Sequence, residues 1–144
     1  MVTTHTAPGV YVEELPSGVR PLRPVPTGVC AFVGLTPAGP VHTPVALGGW
    51  ADFERQFGGL HPGQTLGLAV QQFFAHGGQQ ALVVRLPPGA TAQSAWLPTT
   101  RIARQRREGI YALDAVEGFD LLCLPPPAPG RDFSCNTWAR AAAY

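Results

Sequence analysis

The chain has 144 residues, a formal net charge of +1 and a hydrophobic content of 45%. This balance argues against charge-driven disorder, and also against a nucleic-acid-binding domain or a polybasic membrane segment, since both need clustered positive charge. All ten basic residues are Arg, so the chain has no lysine for a P-loop, a Schiff base or a kinase-type site. A single domain is expected at this length.

The first 27 residues are predicted to form an extended arm rather than part of a compact core. Prolines at positions 21, 24 and 26 each lack an N–H donor and restrict the preceding residue to extended conformations. A lone strand must lie in solvent or pair with a sheet edge, in its own chain or in a neighbour's. The segment expected to pair in this way alternates in side-chain direction and consists of Pro8, Gly9, Val10, Tyr11, Val12, Glu13, Glu14 and Leu15.

Residues 28–144 are predicted to form a layered α/β core with a mixed sheet and flanking helices. From residue 28 to residue 86 the pattern alternates strand, helix and strand, which is typical of α/β and α+β folds. The run at 28–34 is apolar throughout and bounded by glycines, so it predicts a strand that is buried on both faces. Shorter apolar runs predict further strands at 44–47, 81–86 and 119–124.

Two helices are predicted from apolar residues that recur every three or four positions, at 50–57 and 66–76. The glycine pairs 58–59 and 77–78 are expected to end these helices, because glycine adopts the left-handed conformation common at helix C-termini. Thr65 is expected to cap the second helix at its N-terminus.

Residues 87–108 are predicted to be a loop, and four arginines fall within seven positions at its end. The arginines are Arg101, Arg104, Arg106 and Arg107. We interpret them as a solvated face or as ion-pair partners for acidic residues of a neighbouring subunit, and the sequence leaves both readings open. Residues 109–117 predict one or two helical turns. Asn136 is expected to cap a final helix that starts at Thr137.

No residue pattern predicts a catalytic, metal or cofactor site. The four His lack metal-ligand spacing, and the three Cys fit neither a disulfide framework nor a zinc module. Cys30 and Cys123 are expected to be buried free thiols, as in a protein that folds in a reducing cytoplasm. An enzymatic alternative would require Cys135 to meet His61 or His76 in one pocket. We therefore expect a protein that is not an enzyme and binds no metal or cofactor.

The sequence also predicts no targeting or membrane-spanning segment. The N-terminal residues lack the charged and apolar regions of a signal peptide, and no apolar run reaches the length of a membrane span.

A series of short segments resembles the contractile tail sheath proteins of phage tails and related contractile injection systems. The first segment reads PGVYVEELPSGVRP and occupies residues 8–21. The others follow in the order expected for the family, although no single one is diagnostic. They lie at 29–34, 39–41, 50–59, 66–78, 81–85, 109–114, 121–125 and 138–144.

The resemblance implies a structural subunit that polymerises as rings or a helical array around an inner tube. Contraction of the array would drive the tube through a target envelope. The implied partners are other sheath subunits, the inner tube and baseplate proteins, with no nucleic acid and no membrane. The implied location is the bacterial cytoplasm during assembly, and then the virion tail of a bacteriophage or prophage or a contractile injection particle.

In this family, terminal arms exchange strands between subunits. The resemblance therefore implies that residues 8–15 are the exchanged strand and residues 16–27 the tether. Family members are usually longer, with a C-terminal domain and arm that receive the neighbour's arm, so a truncated form with a partial core is expected. The alternative is a short cap or adaptor at a tail or injection-system end, whose arm terminates an array instead of propagating it.

Overall fold

The computed structural model describes residues 28–90 and 92–144, and their fold is α/β, as predicted. Four strands form one mixed sheet, with the bounds β1 (Val29–Gly34), β2 (Pro44–Leu47), β3 (Gln80–Arg85) and β4 (Leu121–Cys123). Four helices flank it, with the bounds α1 (Trp50–Phe57), α2 (Leu66–Ala75), α3 (Arg101–Gln105) and α4 (Cys135–Ala142). Two 3₁₀ helices lie at Gln93–Ala95 and Gly109–Ala115.

The strand order in the sheet is β2-β3-β1-β4. β1 pairs in parallel with β3 and β4, so that Ala31 lies opposite Leu82 on one side and Leu122 on the other. β2 pairs antiparallel with β3. All six residues of β1 are buried, which confirms the interpretation of this apolar run as a central strand. The two edges of the sheet are therefore β2 and β4.

Alternate residues of β1 point to opposite faces of the sheet and contribute to two separate core clusters. Cys30 and Phe32 pack on the face covered by α1 and α2, against the buried side chains Phe53, Phe57, Leu66 and Val70. Ala31 and Val33 pack on the other face, against Trp96, Leu97, Ile110, Leu113 and Phe133. The indole N–H of Trp96 donates to the backbone carbonyl of Val33 at 3.1 Å, which satisfies the polar atom of a buried aromatic ring.

The first two helices begin where the sequence predicts. α1 ends at Gly58, which has a φ of 86° and donates its N–H to the carbonyl of Glu54 at 3.0 Å. Thr65 precedes α2 as expected, but its side chain does not cap the helix. The Thr65 hydroxyl instead donates to the carbonyl of Pro126, which connects the start of α2 to the segment after β4.

Three other predicted elements need correction, and one of them is the arginine-rich segment, which is partly helical rather than a loop. α3 begins after Thr100, whose hydroxyl oxygen accepts the N–H of Ala103 at 3.2 Å. Ala103 is its only buried residue, so no apolar periodicity marks this helix.

The other two corrections concern the last elements. α4 begins at Cys135 and is capped by Ser134 rather than Asn136, with the Ser134 hydroxyl accepting the N–H of Thr137 at 3.3 Å. β4 has three residues instead of the predicted six: it begins after Asp120, whose side chain bonds to the start of β1, and ends two residues before Pro125.

The predicted arm, residues 1–27, lies outside the described residues. In the part of the chain that the structure does describe, no helix is both long enough and apolar enough to cross a membrane.

Candidate interaction surface at the free sheet edge

The predicted site residues fall into two groups, and only one lies within the described part of the chain. Pro8, Gly9, Val10, Tyr11, Val12, Glu13, Glu14 and Leu15 lie outside it, so their role as a paired strand stays a prediction. The arginines lie on α3 or directly after it, and all four are exposed: Arg101, Arg104, Arg106 and Arg107. Their surface position is compatible with both interpretations left open above.

One of these arginines contacts an aromatic ring. The guanidinium carbon of Arg104 lies 5.2 Å from the ring centre of Tyr111, within the range of a cation–π contact. Across residues 28–90 and 92–144, the salt bridge found joins Arg55 to Asp52, and it involves none of the four arginines.

β4 is an edge strand with one paired side. It pairs with β1, and no other strand lies beside it among residues 28–90 and 92–144. Leu121 is 58% exposed, and Cys123 is half-buried. Backbone groups along such an open edge can form ladder hydrogen bonds with an incoming strand.

An apolar groove of about 670 Å³ lies beside β4. α2 contributes Leu68 and Ala69 to its wall, β4 contributes Cys123, and α4 contributes Trp138. Leu68 is 52% exposed and Trp138 is 43% exposed. Large apolar side chains in one exposed groove are typical of a surface that binds another polypeptide.

The groove starts at Cys123, the last residue of β4, and extends along the segment that follows it. α2 covers the sheet face of Phe32, whereas α4 packs through Ala141 on the opposite face, beside Phe133. The Trp138 ring contacts that of Phe133 edge-on, with 5.5 Å between the ring centres. The end of β4 and helices from both faces of the sheet therefore bound the groove.

Asp120 joins the start of β4 to the start of β1. One oxygen of its carboxylate accepts the backbone N–H of Gly28 at 2.7 Å and that of Val29 at 3.0 Å. The backbone N–H of Asp120 donates in turn to the carbonyl of Val29 at 2.9 Å. Gly28, where the predicted arm would join the core, is therefore bonded directly to the residue that precedes β4.

The cysteines differ in exposure along this surface. Cys30 is buried as predicted, and burial, together with the nearby Cys123, raises the pKa of its thiol to about 12. Cys123 is half-buried rather than buried, because no strand from the described part of the chain covers the outer side of β4, and partial burial raises its pKa as well. Cys135 is exposed at the start of α4. Thiols with raised pKa values stay protonated at neutral pH and are weak nucleophiles.

A second cavity, of about 550 Å³, lies between the 3₁₀ helix Gly109–Ala115 and the end of α4. The hydroxyl of Tyr144 donates to the carboxylate of Asp114 at 2.6 Å, and burial and this carboxylate both raise the pKa of Tyr144. Arg140 donates to the carbonyls of Leu97 and Pro98 at 2.8 and 3.1 Å. These bonds attach α4 to the preceding segments.

The histidines named in the enzymatic alternative bond to nearby backbone. The ring of His61 lies 2.9 Å from the carbonyl of Pro62, and the ring of His76 lies 2.8 Å from that of Gln72. Among the described residues, no three His, Cys, Asp or Glu side chains are grouped closely enough to hold a metal ion.

Neither a scan against protein-family models nor a search of curated proteins finds a match for this chain. The resemblance to contractile sheath proteins therefore stays a prediction that depends on the order of the short segments.

Proposed function

We propose that the chain is a structural subunit of a contractile tail sheath, which joins copies of itself into an array around an inner tube. The observation that carries this proposal is the free β4 edge with its apolar groove. A self-assembling subunit needs a surface of this kind, because ladder hydrogen bonds and apolar burial together hold the next copy.

The chemistry of the described residues supports an assembly role better than a catalytic one. Leu68 and Trp138 expose large apolar area in the groove, and burying such area stabilises association by about 25 cal/mol per Å². The raised pKa values of Cys30 and Cys123 leave these thiols protonated and poorly reactive at neutral pH.

The arm and the free edge are different surfaces, and this favours an open array. An arm that binds a different surface on the next copy makes a heterologous contact, and such contacts build rings or helical filaments. Tethered strands also keep neighbours connected while the bodies of the subunits move, which is what contraction requires.

The proposal is tested on the full chain by sedimentation over a concentration series and by negative-stain electron microscopy. We expect the average mass to rise past that of a dimer and ring-like or helical particles to appear. Deletion of residues 1–20 should leave a monomer whose melting temperature is unchanged. A wild-type chain that stays a monodisperse monomer and melts cooperatively at every concentration would contradict the proposal. Dimers that do not grow into larger assemblies as the concentration rises would favour the cap or adaptor alternative.

A further inference from the structure

We infer that the apolar groove binds a proline-rich motif of the same chain in a polyproline conformation. The motif, called the proline motif below, consists of Pro21, Leu22, Arg23 and Pro24. The contact lies within one copy, so the inference does not depend on strand exchange. It rests on the proposed function for one consequence only: the docked motif has to leave before the groove holds another copy.

The sequence of the proline motif favours a polyproline helix before any contact forms. Each proline ring fixes φ at about −65°, and a residue that precedes proline is restricted to extended conformations. A polyproline helix has three residues per turn, so Pro21 and Pro24 lie on the same side, one turn apart. The motif therefore presents a rigid apolar ridge, and binding orders it at little cost in conformational entropy.

The groove has walls that suit such a ridge. Proline-rich segments bind in grooves lined by aromatic and apolar side chains. Trp138 on α4 and Leu68 on α2 both expose apolar surface in this groove. The Trp138 ring is held edge-on against Phe133, and the Thr65 hydroxyl donates to the carbonyl of Pro126, which lines the groove as well. Because contacts within the core already hold these walls, the groove itself needs little ordering on binding.

A carboxylate in the groove can pair with the arginine of the proline motif. Asp132 is the only carboxylate among the described residues that line the groove. One of its oxygens accepts the backbone N–H of Phe133 at 2.7 Å, which orients the group and leaves the other oxygen for a cation. Arg23 supplies this cation. Arg131 also lines the groove, so the pairing with Asp132, rather than net charge, sets the orientation of the motif.

The distance from the core to the groove matches the position of the proline motif in the chain. β1 and β4 are parallel, and Cys123 lies opposite Phe32, four residues after Gly28. The start of the groove at Cys123 is therefore about 14 Å from Gly28. A polyproline segment advances about 3.1 Å per residue, so Pro24 lies about 12 Å from Gly28 and Pro21 about 22 Å. The motif therefore begins near the start of the groove and extends along it.

The backbone of Gly28 allows the chain to turn back along β4. Its φ is 110°, a conformation that residues with a side chain rarely adopt. A Cβ built on Gly28 would meet no atom within 4 Å, so close packing does not require a glycine here. The Gly28 N–H bonds to Asp120, the residue before β4. The chain therefore changes direction beside the strand whose end borders the groove.

The short link to the core favours the chain's own groove over that of a second copy. Three residues separate Pro24 from Gly28, and short links give effective concentrations in the millimolar range. At lower protein concentrations the proline motif therefore occupies its own groove and competes with an approaching copy.

Thiol labelling at concentrations where the chain is monomeric tests the docking itself. Cys123 lies in the groove wall, and the exposed Cys135 serves as an internal reference. The motif variant, which combines Pro21→Ala with Pro24→Ala, should be alkylated at Cys123 at least about fivefold faster than the wild type, because the motif no longer covers this thiol. The rate at Cys135 should not change. Peptide mass spectrometry measures both rates.

A matched control combines Pro8→Ala with Pro16→Ala, which removes two prolines of the arm outside the motif. It should be labelled like the wild type. Equal rates at Cys123 in the wild type and the motif variant would overturn the inference. Protection of Cys123 that appears in the wild type only as its concentration rises would assign the groove to a second copy, and would overturn it as well.

Binding of the motif as a separate peptide tests the groove. A fluorescent peptide of residues 17–27 is titrated with the full-length motif variant, and anisotropy should show at least about tenfold tighter binding than to the wild type, whose own motif competes. Adding Leu68→Glu to the motif variant should weaken binding about tenfold, because it places a charge in an apolar groove. Adding Ile102→Glu, at an exposed position on α3, should leave binding unchanged. Equal binding to the Leu68→Glu and Ile102→Glu forms would overturn the inference.

Sedimentation separates this inference from the proposed function. The motif variant should associate at a concentration at least about threefold lower than the wild type, because no motif competes with the next copy. If Cys123 is labelled faster in the motif variant but neither protein associates at any concentration, the docking stands and the proposed function fails. If the motif variant is labelled like the wild type and both assemble, the docking is overturned and the proposed function stands.

Discussion

The two edge strands of the sheet, β2 and β4, differ in proline content and in exposure to solvent. β2 begins with Pro44, which has no N–H to offer an incoming strand, and its last residue, Leu47, is only 1% exposed. β4 contains no proline, and its first residue, Leu121, is 58% exposed. Natural sheets protect edges with proline and by covering them. β2 has a proline and a buried last residue, whereas the end of β4 borders an apolar groove.

The chain around β2 reinforces this difference. The side chain of Arg85, at the end of β3, donates to the carbonyls of Thr36, Pro37 and Gly39. The backbone N–H of His42 donates to the carbonyl of Arg85 at 2.9 Å. The loop before β2 is therefore tied to the neighbouring strand, while no described strand or helix pairs with the outer side of β4.

The largest expected effect comes from truncating one leucine at each edge. Leu47→Ala should lower the free energy of unfolding by about 3 kcal/mol, because Leu47 is buried in the cluster beneath α1 and α2. Leu121→Ala should lower it by less than about 0.5 kcal/mol in the monomer, since its side chain is largely in water. Chemical denaturation at low protein concentration measures both. If the two substitutions lowered the free energy of unfolding equally, the distinction between the two edge strands would be wrong.

A smaller effect is expected where β4 is attached to β1. Asp120→Ala removes the acceptor for two backbone N–H groups, those of Gly28 and Val29, and should cost about 2 kcal/mol. Asp120→Asn keeps one acceptor oxygen and should cost less. Chemical denaturation gives both values. An Asp120→Ala variant as stable as the wild type would show that the ladder hydrogen bonds between β4 and β1 are enough to hold β4 in place.

The smallest effect concerns pH and the covered edge. His42 has a φ of 54° and accepts the N–H of Gly109 at 3.0 Å through Nδ1. Burial lowers its pKa below 6.5, although the nearby Glu108 opposes this shift. The unfolded chain therefore binds the proton more tightly, so stability is complete above pH 6.5 and falls as the pH drops below it.

His42→Asn tests this pH dependence, because Asn tolerates the left-handed conformation and offers an acceptor oxygen. Between pH 7.5 and pH 5.5, the melting temperature of the wild type should fall by about 1–2 °C more than that of the variant. Parallel pH profiles for the two proteins would assign the effect to other groups.

The sequence predicts the central elements well because their signals are local. The continuous apolar run of β1 and the aromatic spacing of α1 each specify one structure, and both elements lie within the predicted ranges. Three of the five residues of α3 are polar or charged and only Ala103 is buried, so apolar periodicity does not reveal this helix. Its one readable signal is Thr100, three residues before Ala103, which is the spacing of an N-cap bond.

The groove could not be predicted, because its walls come from distant parts of the chain. Leu68 and Trp138 are 70 positions apart and come to line one groove only once the chain has folded. One signal was present: Leu68 is a large apolar residue outside the buried stripe of α2 formed by residues such as Leu66 and Val70. Such a residue indicates contact with something beyond the core.

Hydrogen exchange at the two sheet edges tests the central claim most directly. The full chain is compared below and above the concentration at which it associates. We predict that the amides of β4 exchange at least about tenfold more slowly in the associated state, while those of β2 keep their rates, because only β4 gains a ladder partner. Protection that changes equally at both edges, or at neither, would contradict the account.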